Sequence, residues 1–230
     1  MGLQSEGAEP VRWLFLLSAA RSAMISSSSP PPFAVLLLAG GRSRRMGRDK
    51  AGLLWQGRPL WRHQLERLAA LGAGRCLVAC REEQGLQGEA SLPGWEWLFD
   101  PVGDEQGPLG AIARALRVVQ MPLVVLAVDM PFMTAAFLRE ELGARVSAGR
   151  GRFFATAQGV EPMAACYVPE MLPVMERRLA KGERGLQRLI EACVTLDLAE
   201  VRELRDEDRP LFANLNTPGE WEDCQLPNTA

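Results

Sequence analysis

The sequence predicts an α/β protein built on a single doubly wound, mostly parallel sheet. Continuous apolar runs at 33–39 and 123–128 are typical of strands that are buried on both faces. Segments 59–72 and 109–119 place apolar residues at helical spacing and alternate with those runs. Strands that alternate with helices favour parallel pairing, with helices covering both faces of the sheet.

The other elements fit the same architecture. Residues 75–80 and 95–99 are expected to form strands, and a third helix begins at Thr134, whose side chain is a suitable N-cap. The C-terminal part then supplies FFATAQ and MAACYV, which we expect to include an antiparallel strand. Two helices between Pro169 and Cys193 and a final NLNTPGEW block complete the domain.

Composition excludes several classes of protein. The chain has 230 residues, 47% of them hydrophobic, and a net charge of −2, which argues against a surface that wraps nucleic acid. None of the five cysteines forms a C-x-x-C pair, so a disulfide framework or zinc ribbon is not expected. We expect the protein to reside in a reducing cytoplasm. The one histidine, His63, stands beside Trp61 and Arg62 and is expected to have a packing or surface role.

Residues 1–32 differ from the rest of the chain. Arg12 precedes the apolar run WLFLLSAA, which resembles a weak secretory signal and is too short to span a bilayer. Ser26–Ser29 and Pro30–Pro32 follow, and such runs cannot build a packed core. We therefore expect 1–32 to be a disordered extension, or the product of a start site upstream of the true one at Met24. The folded domain is expected at 33–230, without a membrane segment.

The eleven residues 40–50, directly after the first strand, are strongly basic. Five cations and one acid give this segment a charge of +4: Arg42, Arg44, Arg45, Arg48 and Lys50 against Asp49. Gly40, Gly41 and Gly47 allow backbone N–H groups to face an anion. The segment lacks both the P-loop and the G-x-G-x-x-G patterns. We expect it to bind several phosphates, the alternative being a solvated basic turn.

Carboxylates follow two further strands. Asp129 comes directly after the 123–128 run, and Asp100 follows 95–99. Ligands of open α/β sheets bind outside the carboxyl ends of the strands, so these acids are expected near the basic segment. Asp129 suits Mg²⁺, which binds proteins through one or two carboxylates and completes its shell with phosphate oxygens and water. The alternative is that Asp129 caps the next helix.

The segment LLAGGRSRRMGRDKAGLLWQGRPL at 37–60 resembles the signature of nucleotidyltransferases that transfer a nucleoside monophosphate to a phosphorylated acceptor. Within that superfamily the chain resembles the MobA-like molybdenum cofactor guanylyltransferases from Phe33 to about Trp221. The resemblance implies a Rossmann-like domain that transfers GMP from GTP to the phosphate of molybdopterin and releases pyrophosphate. It also implies Mg²⁺ as cofactor.

The resemblance also assigns residues. Nucleotide contacts are implied for Leu38, Ala39, Gly40, Gly41 and Asp100, phosphate neutralisation for Lys50 and Arg45, and metal binding for Asp129. The NLNTPGEW block resembles the family's ending, and we assign its Asn214 and Asn216, expected on a short strand, to the pterin side of the site. The family's nucleotide-contacting asparagine after the second strand is missing. Its nearest position here is Val78, so that contact could come from backbone or from Arg81, or guanine selection could be weaker.

Three other functions remain open at this stage. One is a molybdopterin cytidylyltransferase, against which Gly40 in LAGG counts because that relative tends to have LAAG. Another is a sugar-phosphate nucleotidyltransferase. The third is a non-catalytic adaptor, against which the joint presence of Lys50 and Asp129 argues. The expected partners are GTP, molybdopterin, and the proteins that insert molybdenum or receive the finished cofactor.

Overall fold

The structure is a computed structural model, and it describes residues 33–41, 49–88, 93–101, 106–146, 149–215 and 217–225. The predicted extension 1–32 lies outside these ranges, as do the predicted site residues Arg45 and Asn216. None of the described helices is long and apolar enough to cross a membrane.

Within the described ranges, seven strands form one sheet in the order β5-β4-β1-β6-β8-β7-β9, and β2 pairs with β3 in a small separate hairpin. The strands are β1 (Ala34–Leu38), β2 (Leu54–Trp55), β3 (Arg58–Pro59), β4 (Arg75–Cys80), β5 (Trp95–Phe99), β6 (Leu123–Ala127), β7 (Gly151–Thr156), β8 (Gly159–Tyr167) and β9 (Ala199–Glu203).

The first four strands of that order are parallel, as predicted. β1 pairs with β4 on one side and with β6 on the other, so that Leu38 lies level with both Ala79 and Ala127. The chain runs outward from β1 to β4 and β5 and then returns to the far side of β1. This change of direction is the topological switch point at which doubly wound sheets bind ligands.

The other half of the sheet is mixed. β8 runs antiparallel to both β6 and β7, which confirms the expected antiparallel strand, while β9 runs parallel to β7 at the edge. The sequence analysis missed β9. Its residues AEVRE are mostly exposed, so no apolar run or alternation marks them as a strand.

Helices cover both faces of the sheet. They are α1 (Leu60–Ala69), α2 (Gly107–Val119), α3 (Ala135–Phe137), α4 (Leu172–Ala180), α5 (Leu186–Thr195) and α6 (Pro218–Gln225). α1 and the segment after β6 pack on one face, while α2, α4 and α5 pack on the other. All five residues of β1 are buried, which explains why its sequence is a continuous apolar run.

Two predicted elements differ in detail. The Thr134 side chain caps α3 by accepting a hydrogen bond from Phe137 N at 3.2 Å, but the helix then widens into a π-helical turn over Leu138–Gly143. The short strand predicted around Asn214 is wrong, because residues 213–215 have no regular structure. A single backbone bond from Leu215 N to Asp129 O, 3.2 Å long, ties this segment to the domain instead of a strand ladder.

Candidate functional site

A cavity of about 220 Å³ opens at the carboxyl ends of β1, β4 and β6. It is lined by every predicted nucleotide-side residue that the structure describes: Leu38, Ala39, Gly40, Gly41, Lys50, Asp100 and Asp129. The residues are distant in sequence and meet because parallel strands end at the same edge of the sheet. Val78 is fully buried in the core and does not line the cavity. The position nearest to the family's asparagine therefore contributes no side chain to this site.

Gly40 and Gly41, which have no side chains, line the cavity at the end of β1. A Cβ atom at Gly40 would lie 2.9 Å from Asp100 Oδ2 and 3.4 Å from Cys80 Cα, so a side chain there would displace its neighbours. Asp100 is fixed from two sides: its N–H donates to Cys80 O at 3.0 Å, and its carboxylate accepts a charged hydrogen bond from Arg114. Glycine at this position therefore leaves room for the Asp100 carboxylate beside the end of β1.

Lys50 and Asp129 form an ion pair on the cavity wall. Lys50 Nζ donates to Asp129 Oδ2 at 2.8 Å, and the two side chains are 12% and 27% exposed. The Thr134 cap excludes the interpretation of Asp129 as the cap of the following helix. The basic segment and the end of β6 thus place opposite charges side by side within the same cavity.

Gln64 holds the turn that carries Asp129. Its fully buried amide donates from Nε2 to Met130 O at 2.8 Å and to Val128 O at 3.3 Å, on either side of the aspartate. Arg67 Nη1 donates to Gln64 Oε1 at 2.8 Å, which fixes the amide orientation. The sequence analysis missed this role. The available signal was a polar residue on the otherwise apolar face of the predicted helix.

Arg81 and Gln84 brace both ends of the basic segment. Arg81 donates to Gly40 O at 2.6 Å and to Asp49 Oδ2 at 3.2 Å. Gln84 Nε2 donates to Ala39 O at 2.9 Å and to the same Asp49 oxygen at 2.6 Å. The structure thus gives Arg81 a bracing position at the base of this segment.

The N-terminus of α2 also faces the cavity. Gly107 and Pro108 line it, and Gly107 begins the helix with a φ of +64°, a conformation that favours glycine. The positive end of a helix and its unpaired N–H groups attract anions. This arrangement adds a second favourable field for phosphate to that of Lys50.

A second cavity, of about 500 Å³, is lined by residues of β7, β8 and the segment after β9. Its polar wall includes Thr156, Gln158, Glu161, Arg209 and the predicted pterin-side residue Asn214. Burial raises the pKa of Glu161, and the charge of Asp129 adds to the rise, while a hydrogen bond from Met163 N opposes it.

The buried histidine takes no part in either cavity. His63 is 8% exposed, and its Nε2 lies 2.5 Å from Trp55 O on the underside of the β2–β3 hairpin. The predicted packing role is confirmed.

Comparison with known families decides the relationship. The family model described as "MobA-like NTP transferase domain" matches residues 35–200. The chain belongs to this family. MobA-like domains of this kind are nucleotidyltransferases, and the predicted resemblance and fold class are therefore confirmed.

Curated relatives carry a more specific name. A protein of Opitutus terrae is 37% identical over 78% of this chain and 88% of its own, and one of Synechococcus elongatus is 35% identical over 82% and 95%. Both are named "probable molybdenum cofactor guanylyltransferase". A protein of Pseudomonas putida named "molybdenum cofactor guanylyltransferase" is 32% identical over 80% of this chain and 93% of its own.

Solved structures share the fold. Molybdopterin-guanine dinucleotide biosynthesis protein A from Archaeoglobus fulgidus superimposes with a TM-score of 0.68 at 24% identity, covering 84% of this chain and 96% of its own. A nucleotidyl transferase from Methanothermobacter gives a TM-score of 0.68 at 16% identity, covering 85% and 96%. At these identities the similarity concerns the arrangement of the sheet and helices.

Proposed function

We propose that this protein transfers GMP from GTP to the phosphate of molybdopterin, which forms the guanine dinucleotide cofactor and releases pyrophosphate. The observation that carries the proposal is the Lys50–Asp129 pair, 2.8 Å apart in the cavity that residues 38–41 also line. The names of the curated relatives supply the identity of nucleotide and acceptor.

The reaction does not require a covalent intermediate with the protein. An acceptor phosphate oxygen attacks the α-phosphorus of GTP, a new P–O bond forms, and the bond to pyrophosphate breaks. A phosphate monoester is ionised near pH 7, so no general base is required. Positioning and charge stabilisation provide the catalysis. Lys50 and Arg45 would neutralise the triphosphate, and the N-terminus of α2 would support them.

Asp129 fits the requirements of a Mg²⁺ ligand. Its carboxylate is partly exposed on the cavity wall, and the described residues contain no cluster of three or more acidic, histidine or cysteine side chains that could hold a metal by themselves. Mg²⁺ suits this donor set because it binds through few carboxylates and takes its other ligands from phosphate and water. When bound it would supply positive charge to the phosphate oxygens.

The acceptor would occupy the second cavity. Asn214 lines that cavity, and the neighbouring Leu215 N donates to Asp129 O. An acceptor seated there would direct its phosphate toward the first cavity. The side-chain amide of Asn214 can donate to and accept from a polar heterocycle.

A thermal-shift panel of the four nucleoside triphosphates with Mg²⁺ tests nucleotide choice. A ligand at 100 times its Kd stabilises a protein by about 2.7 kcal/mol, so GTP is expected to raise Tm clearly and CTP is not. Tighter CTP binding would identify a cytidylyltransferase. Pyrophosphate release that depends on molybdopterin would then establish transfer, release with a sugar phosphate would favour that enzyme class, and GTP binding without release would indicate an adaptor.

The cytoplasm is the compartment that the thiols favour. Cys80, Cys166 and Cys193 are buried, and burial raises the pKa of the first two to about 12 and of the third to about 11. A reducing compartment suits a chain with free cysteines. There the product would pass to molybdenum-insertion and client molybdoenzyme proteins.

A further inference from the structure

Glu161 is an acidic residue of β8 that lies near Asp129. In the antiparallel pair of β6 and β8, Leu126 stands level with Ala164. β6 ends at Ala127, and Asp129 lies in the turn that follows, so this pairing brings the Glu161 end of β8 toward that turn. The contribution of Asp129 to the raised pKa of Glu161 is consistent with that placement. The strand thus brings a second carboxylate to the border of the nucleotide cavity.

Glu161 and Met163 lie two residues apart on β8 and line different cavities. Met163 lines the first and Glu161 the second, and residues two apart on a strand are separated by about 6.5–7 Å. Glu161 Oε1 accepts a hydrogen bond from Met163 N at 2.6 Å, which fixes the orientation of the carboxylate. Its position is therefore determined by the strand itself.

Among the described residues no ion pair reaches the Glu161 carboxylate. Arg209 lines the same cavity and forms an exposed ion pair with Asp206 at 3.0 Å. An acid that is partly desolvated and close to a second acid is destabilised when ionised. Hydrogen-bond donors from a ligand would relieve that cost, because bonds to a charged acceptor are among the stronger ones.

We propose that Glu161 determines acceptor specificity by accepting hydrogen bonds from the adjacent N–H and amino groups of the pterin ring. This inference rests on the proposed function. The two neighbouring donors of a 2-amino-4-oxo heterocycle match the two oxygens of a carboxylate, and each oxygen has two lone pairs, so the bond from Met163 N leaves sufficient capacity. The guanine of GTP carries the same pair of donors, but the residues that the family assigns to the nucleotide line the other cavity.

Steady-state kinetics of the full chain separate the two heterocycles. Glu161→Gln keeps the shape and the bond to Met163 N but replaces one acceptor by a donor. We expect it to raise KM for molybdopterin at least tenfold, with kcat and KM for GTP within about twofold of the wild type. Glu203→Gln, an exposed acid on β9 outside this cavity, is the matched control and is expected to change none of these values.

A binding experiment tests the same contact without catalysis. Pterin and lumazine differ in that lumazine has a carbonyl oxygen where pterin has its 2-amino group. Fluorescence titration is expected to show that the wild type prefers pterin at least tenfold and that Glu161→Gln loses the preference.

The outcomes are distinct. Equal binding of the two pteridines by the wild type, or binding of neither, overturns the proposal, as does a rise in KM for GTP instead of molybdopterin. A wild type that performs no guanylyl transfer overturns the proposed function itself. Transfer by the wild type together with an unchanged Glu161→Gln variant overturns this inference alone.

Discussion

The two halves of the sheet line their cavities with different kinds of chemical groups. In the parallel half, Gly40 and Gly41 present only main-chain atoms to the cavity at the end of β1, and the charged groups there are paired, Lys50 with Asp129 and Asp100 with Arg114. In the mixed half, side chains of β7, β8 and the segment after β9 form the wall, and Glu161 has no such pair among the described residues. A backbone wall should be sensitive to added atoms, and a side-chain wall to altered side-chain chemistry.

The largest effect is expected at the border between the halves. Lys50→Ala removes the donor that we propose stabilises charge developing on the leaving group, and losing one such donor typically slows a reaction by about 10²–10³-fold. Asp129→Asn keeps the shape but removes the charge that would attract the metal. Rates measured against metal concentration should therefore show partial rescue of Asp129→Asn by Mg²⁺ or Mn²⁺ and none of Lys50→Ala. Full activity of Asp129→Asn at low Mg²⁺ would remove this carboxylate from the metal site.

The second-largest effect is expected at Gln64, which holds the turn that carries Asp129. Gln64→Leu removes the donors to Val128 O and Met130 O. Met130 O keeps its bond from Met133 N at 3.2 Å, whereas Val128 O loses the amide donor, at a cost of about 1–3 kcal/mol. For a chain of this size each kcal/mol lowers Tm by about 2–4 °C. Glu66→Gln, an exposed change on the same helix, is the control in thermal unfolding. An unchanged Tm in Gln64→Leu would show that water replaces the amide.

The backbone wall is tested by adding one carbon atom. Gly40→Ala places a Cβ 2.9 Å from Asp100 Oδ2 and strains the bond between Asp100 and Arg114. We expect GTP affinity to fall by about tenfold, a change of about 1.4 kcal/mol, with KM for the acceptor little altered. Gly52→Ala, whose Cβ would meet only Asp49 O at 3.9 Å, is the steric control. Equal effects of the two substitutions would contradict the difference between the walls.

The smallest effect is expected in the pH dependence of stability, at Glu161 on the wall of the second cavity. Because the folded-state pKa of Glu161 is raised above 4.5, the protonated form favours the fold, and that stabilisation is lost as pH rises through the raised pKa. Thermal unfolding should show Glu161→Gln equal to the wild type near pH 4 and more stable than it near pH 7, where the wild-type carboxylate is ionised. A difference in Tm that does not change with pH would show that Glu161 is not perturbed by its surroundings.

Hydrophobic periodicity was sufficient to predict the parallel half of the sheet. β1 and β6 are buried on both faces, and α2 buries one face, so their sequences carry strong and distinct patterns. The edge strand β9 and the irregular segment at Asn214 were missed or misassigned. Both are mostly exposed, and exposed backbone leaves little trace in side-chain polarity.

The sequence by itself determined the fold class and the residues around the nucleotide cavity, because strand order places Leu38, Asp100 and Asp129 at one edge whatever their side-chain conformations. Only the tertiary structure decided which groups meet. It paired Lys50 with Asp129 across 79 positions, set Gln64 against the aspartate turn, and brought Glu161 close enough to feel the charge of Asp129. Such contacts depend on helix packing and strand register between distant segments, and no local pattern of residues encodes them.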